Sequence, residues 1–140
     1  MYKAIVVGTD GSETAAQAVA QAAAIAQAYN ATLHIVSSLP MTPVSAGTVS
    51  TPLVFDPGTE VESILAEAVA AVQRDGLTVE THAMKLDPAR AIIDTATRLE
   101  ADLVVVGNRG MKGPKRFLLG SIPNSVAHHA PCAVLIVKTC

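Results

Sequence analysis

Aromatic residues and net charge are both scarce in this chain. Half of its 140 residues are apolar, yet only 3% are aromatic and none is tryptophan. A core of such small side chains suits packed layers of helix and sheet rather than an aromatic-rich binding surface. With a formal net charge of -2, the chain also lacks the basic stripes that bind nucleic acid or anionic membrane. We therefore expect neither nucleic acid nor membrane as a partner.

Long apolar segments and paired cysteines are missing as well. No apolar run reaches the roughly 18 residues of a membrane-spanning helix, and no signal-peptide pattern precedes the first apolar run at Ala4. The two cysteines, Cys132 and Cys140, have no metal-binding spacing and are expected to be free thiols. These features predict a cytoplasmic protein, and the length is typical of a single domain over residues 1–140.

Strand and helix patterns alternate along the chain. Short apolar or β-branched runs predict five strands at about 3–8, 32–36, 78–84, 103–107 and 133–137. Helices are predicted at about 13–29 with Asn30 as its C-terminal stop, at 60–74, from Pro88 after the cap Asp87, and at 121–129. The proline-rich segment 39–58 is predicted to be a long exposed connection. Such alternation requires right-handed crossovers, which give a doubly wound, Rossmann-like α/β domain with helices on both faces of a parallel sheet.

The loop after the fourth predicted strand is rich in glycine and basic residues. In a doubly wound sheet, ligands bind beyond the carboxyl ends of the strands, so the loops after the first and fourth strands are the candidates. Gly107 and Gly110 lie three residues apart, and Gly120 precedes Ser121 at a predicted helix start. Glycine allows close approach of a ligand, and the free amides of a helix start bind phosphate oxygens. Ser121 is expected to cap that helix and to donate to a phosphate, with positive charge supplied by residues 112, 115 and 116. Alternatively, these glycines serve only a turn and a helix end, and the cations are solvated.

The glycine spacing excludes two common phosphate-binding motifs. Neither the Gly-x-x-x-x-Gly-Lys-Ser/Thr loop nor the Gly-x-Gly-x-x-Gly fingerprint occurs in the chain. Instead, Gly107-x2-Gly110-x9-Gly120-Ser121 resembles the signature of the nucleotide-binding branch of the universal stress protein family at every fixed position. The segments Gly8-Thr-Asp10-Gly-Ser12, Asp87-Pro88-Ala89 and 129–137 are similar to that family too, so the resemblance covers nearly the whole chain.

The resemblance implies a fold and a ligand. It implies a five-stranded parallel sheet in the order 3-2-1-4-5, with ATP bound across the ends of strands 1 and 4. Asp10 would accept hydrogen bonds from the base or the sugar, or alternatively it would form a capping box with Glu13 at the first helix. The implied binding residues are Gly8, Thr9 and Asp10 on the adenine and ribose side, Val106, Gly107, Asn108, Arg109 and Gly110 at the ribose and first phosphates, and Gly120, Ser121, Ile122 and Pro123 at the outer phosphates.

Two positions depart from the family pattern. Ser37-Ser38 stands where a His-Val pair is common, so we expect a more polar adenine pocket with Ser38 among the binding residues. Pro123 stands where many members have a hydroxyl residue, and proline supplies neither a hydroxyl nor an amide hydrogen. This substitution weakens the expected grip on a terminal phosphate. AMP and cyclic AMP are therefore alternatives to ATP, and Mg²⁺ would arrive with the nucleotide.

Residues for catalysis are not evident. The segment 108–127 contains no Asp or Glu that could act as a base or bind a metal near the outer phosphates, so we name no catalytic and no metal-binding residue. The expected function is a nucleotide-dependent regulatory switch in a stress response. The alternatives are a slow ATP hydrolase and a structural or partner-binding domain without a ligand. The resemblance also implies a homodimer through strand 5, and the apolar run Ala133 to Val137, which would otherwise be an exposed edge, supports that expectation.

Overall fold

A central parallel sheet organises the computed structural model, which describes residues 1–40, 42–44, 53–55, 57–108 and 119–138. Its elements are β1 (Ala4–Gly8), α1 (Glu13–Tyr29), β2 (Thr32–Ser38), β3 (Thr42–Val44), β4 (Leu53–Phe55), α2 (Gly58–Val72), β5 (Thr78–Met84), α3 (Pro88–Arg98), β6 (Leu103–Gly107), α4 (Ser121–His129) and β7 (Ala133–Val137). The sheet order is β5-β2-β1-β6-β7, and every neighbouring pair is parallel. The predicted doubly wound fold with strand order 3-2-1-4-5 is confirmed.

The connection after β2 contains regular structure that the sequence did not predict. β3 and β4 pair antiparallel as a separate two-stranded sheet, with Thr42 opposite Phe55 and Val44 opposite Leu53. The sequence indicated only a long exposed connection over residues 39–58, and β3 and β4 lie within that segment. Pro43 is compatible with a strand here because each strand of a two-stranded ribbon has an unpaired edge, where no amide donor is needed. The local β-branched and aromatic residues also favour pairing.

Two apolar layers hold the helices on opposite faces of the sheet. One layer joins α1 and α2 to the face that carries Ile5, Leu33 and Ile35, and the other joins α3 and α4 to the face that carries Val6 and Val104. β1 and β6 are buried on both faces, which explains their continuous apolar sequences. Within the described part of the chain, no helix is long and apolar enough to cross a membrane.

Two helix boundaries follow from local chemistry as predicted. Asn30 ends α1 in the left-handed conformation, with φ of 55°, which asparagine tolerates better than most residues. The carboxylate of Asp87 accepts a hydrogen bond from the Arg90 amide at the start of α3, and Pro88 occupies the first turn. Asp87 lies after β5, at the carboxyl edge of the sheet where the candidate loops gather, whereas Asn30 lies before β2, at the opposite edge.

Candidate functional site

A cleft opens at the carboxyl ends of β1 and β6. β1 pairs with β2 on one side and with β6 on the other, while the helices that follow β1 and β6 pack on opposite faces. The cleft therefore lies at the topological switch point, where doubly wound sheets bind ligands. Its lining residues are Gly8, Thr9, Asp10, Ser12, Thr14, Ala15, Val36, Ser38, Pro88, Ile92, Val106, Gly107, Ile122 and Pro123.

The cleft brings together most of the residues that the sequence indicated. Eight of them line it, namely Gly8, Thr9, Asp10, Ser38, Val106, Gly107, Ile122 and Pro123. Asn108, Gly120 and Ser121 are described but are not among the lining residues. Asn108 is buried, and its backbone N–H donates to the carbonyl oxygen of Val137 at 3.1 Å. Arg109 and Gly110 lie outside the described residues, as do the basic positions 112, 115 and 116.

Six lining residues were not found from the sequence: Ser12, Thr14, Ala15, Val36, Pro88 and Ile92. Val36 was detectable, because side chains two apart on a strand share a face and Ser38 was already a candidate. The residues at 12, 14 and 15 belong to the helix start that follows the first loop. Pro88 and Ile92 come from α3, and no local pattern in the sequence indicates which helix crosses the ends of β1 and β2.

The loop after β1 folds back on itself through side-chain hydrogen bonds. The Thr9 amide donates to the carbonyl of Val36 at 2.9 Å, and the Thr9 hydroxyl accepts from the amide of Gly11 at 3.1 Å. Gly11 has a φ of 83°, in the left-handed region that favours glycine. The Asp10 carboxylate accepts from the Ser12 amide at 2.9 Å. These contacts hold Asp10 in an exposed position at the rim of the cleft.

The cap of α1 is Ser12 rather than Asp10. The Ser12 hydroxyl accepts from the amide of Ala15 at 3.2 Å, and Glu13 is the first helical residue. The alternative of a capping box between Asp10 and Glu13 was wrong, because Asp10 lies two residues before the cap and binds the amide of Ser12 instead. Asp10 is therefore not the residue that caps α1, and a binding role for its carboxylate is compatible with this geometry.

Close packing of α3 against the end of β1 forms the floor of the cleft. A Cβ atom on Gly8 would overlap Cδ1 of Ile92 and would lie 3.0 Å from its Cγ1. Glycine is therefore required at this position if Ile92 is to stay where it is. Ile92, Val36, Val106 and Ile122 give the floor an apolar surface, which suits a flat ring.

At the end of β2, peptide groups rather than hydroxyls face the cleft. The bond from the Thr9 amide to the Val36 carbonyl lies on the β1 side of β2. The backbone N–H and C=O groups of residues two apart in a strand point to the same side. Those of Ser38 therefore also face the β1 side, two residues beyond Val36. The Ser38 hydroxyl, in contrast, donates to the carbonyl of Leu86 at 2.6 Å and accepts from its amide at 2.9 Å. Ser37 lies on the opposite face of the strand and is not among the lining residues. The expectation that both serines make the pocket more polar is therefore corrected, because only Ser38 lies at the cleft.

The start of α4 forms the other end of the cleft. The cap residue is Gly120, in an extended conformation, and no described side chain caps the helix. Ser121 is therefore the first helical residue and not the cap that the sequence suggested. The amides of Ser121 and Ile122 are available as donors at the positive end of the helix, whereas Pro123, the third helical residue, has no amide hydrogen. The ring of Pro123 is buried against the cleft.

Few of the described residues around the cleft are charged. Asp10 is the one acidic or basic side chain among the lining residues that the structure describes. The described residues also include no group of three or more His, Cys, Asp or Glu side chains that could hold a metal ion. The arrangement is thus an apolar slot with backbone donors and acceptors at its ends and one carboxylate at its rim, which can hold a neutral ring and an attached polar group.

Comparisons with known proteins agree with this architecture. The model of the universal stress protein family matches residues 1–138. A universal stress protein of Synechocystis is 32% identical, with 98% of each chain covered, and one of Methanocaldococcus jannaschii is 30% identical, with 99% of this chain and 83% of that relative covered.

Solved structures are similar over the same length. A universal stress protein crystallised in complex with cyclic AMP has a TM-score of 0.70 and 32% identity, covering 97% of this chain and 96% of that chain. The Archaeoglobus fulgidus universal stress protein in complex with dAMP has a TM-score of 0.74 and 26% identity, with 98% of each chain covered. The family model and the relatives match nearly the whole chain, and this chain belongs to the universal stress protein family.

Proposed function

We propose that this protein binds an adenine nucleotide in the cleft at the ends of β1 and β6 and acts as a nucleotide-dependent regulatory switch. The observation that carries the proposal is the cleft itself, whose apolar floor lies between the end of β2 and the start of α4. Two structurally similar relatives were crystallised with cyclic AMP and with dAMP, and this supports an adenine nucleotide as the ligand.

The base is proposed to lie on the apolar floor near the end of β2. Ile92 and Val36 offer a dry surface for the faces of the ring. The amide and carbonyl of Ser38, which face the same side of β2, are placed to pair with the acceptor N1 and the donor N6 of adenine. In this arrangement Ser38 contributes its backbone to the ligand, while its hydroxyl stays bonded to Leu86.

The sugar and phosphates are proposed to extend from Asp10 toward α4. The Asp10 carboxylate would accept hydrogen bonds from the ribose, and the amides of Ser121 and Ile122 would donate to phosphate oxygens at the positive end of the helix. Because Pro123 removes the third amide of this turn, additional phosphates gain little, and we expect AMP and cyclic AMP to bind within about tenfold of ATP. Gly107 to Gly110 and Gly120 complete the proposed site, and Mg²⁺ would enter with the phosphates and keep most of its waters.

A switch is favoured over a hydrolase because Asp10, on the proposed ribose side, is the one acidic lining residue described. We also propose that the protein forms a homodimer through β7. This strand is at one edge of the sheet, and its side chains Val134, Leu135 and Ile136 are only partly buried. Pairing of the β7 strands of two subunits would cover both the strand edges and these side chains.

Calorimetric titration tests the proposal directly. The protein is titrated with AMP, cyclic AMP and ATP, with and without Mg²⁺, and with GMP as the control for the base. A ligand at 100 times its dissociation constant should stabilise the fold by about 2.7 kcal/mol, so thermal shifts provide a second measurement. Absence of binding by all three adenine nucleotides at millimolar concentration refutes the proposal. Phosphate release from ATP at a rate of roughly 1 per second or more would identify a hydrolase instead.

A pair of matched substitutions tests the site. Asp10→Asn keeps an oxygen that can accept from the Ser12 amide but removes the charge, and we expect the affinity for AMP to fall by about 10- to 100-fold, as for a lost hydrogen bond to a charged group. Asp94→Asn is the control, because Asp94 is exposed on α3, lies 3.6 Å from Arg90 and is not part of the cleft. Equal affinity of the two variants would place the nucleotide elsewhere.

A further inference from the structure

Two adjacent serines at the end of β2 use their hydroxyls in opposite ways. Ser37 and Ser38 are both buried, with exposed fractions of 2% and 5%. The Ser38 hydroxyl donates to the carbonyl of Leu86 at 2.6 Å and accepts from the amide of the same residue at 2.9 Å. The Ser37 hydroxyl, on the other face of the sheet, has no hydrogen-bond partner in the described part of the molecule. A buried hydroxyl with two short bonds to one residue is a specific link between two chain segments.

The link joins β2 to the connection that leads into α3. Pairing of β2 with β5 ends at Ser38 opposite Met84, so the ladder does not hold the residues that follow. The Ser38 hydroxyl satisfies both polar backbone groups of Leu86, two residues beyond that last pair. Leu86 is itself 38% exposed, so packing holds it only in part.

The segment held by this link determines where α3 begins. Asp87 follows Leu86 and caps α3, and Pro88 is the first helical residue. Pro88 and Ile92 both line the cleft, and Ile92 is in close contact with Gly8. A shift of the connection at Leu86 would thus move the start of α3 and change the width of the slot on the proposed base side.

We propose that the Ser38 hydroxyl is a positioning group for the nucleotide cleft: by holding Leu86 it keeps the start of α3, with Pro88 and Ile92, at a defined distance from the end of β2. The inference rests on the proposed nucleotide-binding function. Ser38 then has two separate roles, since its peptide groups face the ligand while its side chain acts through Leu86.

The test uses Ser38→Ala in the intact protein with Ser37→Ala as the matched control. Both changes remove one buried serine hydroxyl from the same strand, but only the first removes the link. Dissociation constants for adenosine and for AMP are measured by calorimetry at a temperature where each variant is folded, and hydrogen exchange is measured at the amide of Leu86. A role confined to stability would lower the unfolding midpoint without changing the affinity of the folded protein.

The expected result for Ser38→Ala is at least tenfold faster exchange at Leu86 and about tenfold weaker binding of both adenosine and AMP, a loss that corresponds to 1.4 kcal/mol. The two ligands should lose affinity by the same factor, because the link acts on the base side and both share the base. Ser37→Ala should leave exchange at Leu86 and both affinities unchanged. If Ser38→Ala does not fold, Ser38→Cys serves instead, since a thiol is a weaker donor and acceptor of similar size, and a smaller loss in the same direction is expected.

Several outcomes would overturn the inference. Wild-type affinity in folded Ser38→Ala, a loss limited to AMP, or an equal loss in Ser37→Ala would each contradict a positioning role on the base side, while the proposed function would stand. Failure of the wild-type protein to bind either ligand would refute the proposed function and the inference with it.

Discussion

The contact between Gly8 and Ile92 allows a quantitative test of how the cleft floor is packed. Gly8→Ala would place a methyl group on Cδ1 of Ile92 and 3.0 Å from its Cγ1. Overpacking of this kind typically costs about 1–3 kcal/mol of stability. Ile92→Val removes Cδ1 from a residue that is only 4% exposed, and alone it should cost about 0.5–1.5 kcal/mol. In the double variant the new methyl group occupies the vacated space, so the combined loss should be at least about 1 kcal/mol smaller than the sum of the single losses.

Urea unfolding of the four proteins in this double-mutant cycle measures the coupling. Gly107→Ala is the matched control, because a Cβ at Gly107 would have its nearest contact at 3.5 Å, with the carbonyl oxygen of Thr14. That glycine also ends a neighbouring strand at the cleft, but its substitution should be mild and additive with Ile92→Val. Strict additivity of Gly8→Ala and Ile92→Val would refute the conclusion that Ile92 requires glycine at position 8.

Further predictions concern the cap Ser12, the carboxylate of Asp102, and the pair His34 and His82, in which Nδ1 of His34 lies 3.0 Å from Nε2 of His82. Ser12→Ala removes the side-chain cap of α1 and should cost about 1 kcal/mol in urea unfolding; an unchanged midpoint would contradict its role. The backbone amides of Lys3 and Ala4 donate hydrogen bonds to the Asp102 carboxylate and lower its pKa. The contribution of Asp102 to the free energy of unfolding should therefore be present above the unfolded pKa of about 3.9 and be lost as pH falls through the lower folded pKa. Asp102→Asn should reduce this acid dependence, and an identical pH profile would argue against it. Burial lowers the pKa of both His34 and His82, so stability should be highest above about pH 6.5 and fall on acidification, by at most about 1.4 kcal/mol per pH unit for each histidine. His34→Gln should reduce the dependence of stability on pH in this range, and an unchanged dependence would show that other groups cause it.

The fold was predictable because its main signals are local. Strands buried on both faces, such as β1 and β6, have continuous apolar sequences, and the caps Asn30 and Asp87 are recognisable from residue type and position. The short pair β3 and β4 was missed because prolines dominated the composition of that segment, whereas pairing depends on a partner strand that composition does not identify.

The candidate site was only partly predictable. Glycines and the helix start after β6 indicated a binding loop, and most of the candidate residues that are described do line one cleft. Ser12 and Asp10 both qualify as helix caps by residue type, and only the backbone geometry decided between them. Pro88 and Ile92 join the cleft because α3 crosses the ends of β1 and β2, which is a consequence of topology.

The order of strands and helices, the faces that they bury and the loops that gather at one sheet edge follow from the sequence, because residue spacing and backbone preference act within a few positions. Which side chains meet across that edge depends on the folded chain. The glycine at position 8 is explained by Ile92, and the two neighbouring serines are distinguished by Leu86, 48 residues away from Ser38. Such contacts depend on packing between distant segments, and no short pattern encodes them.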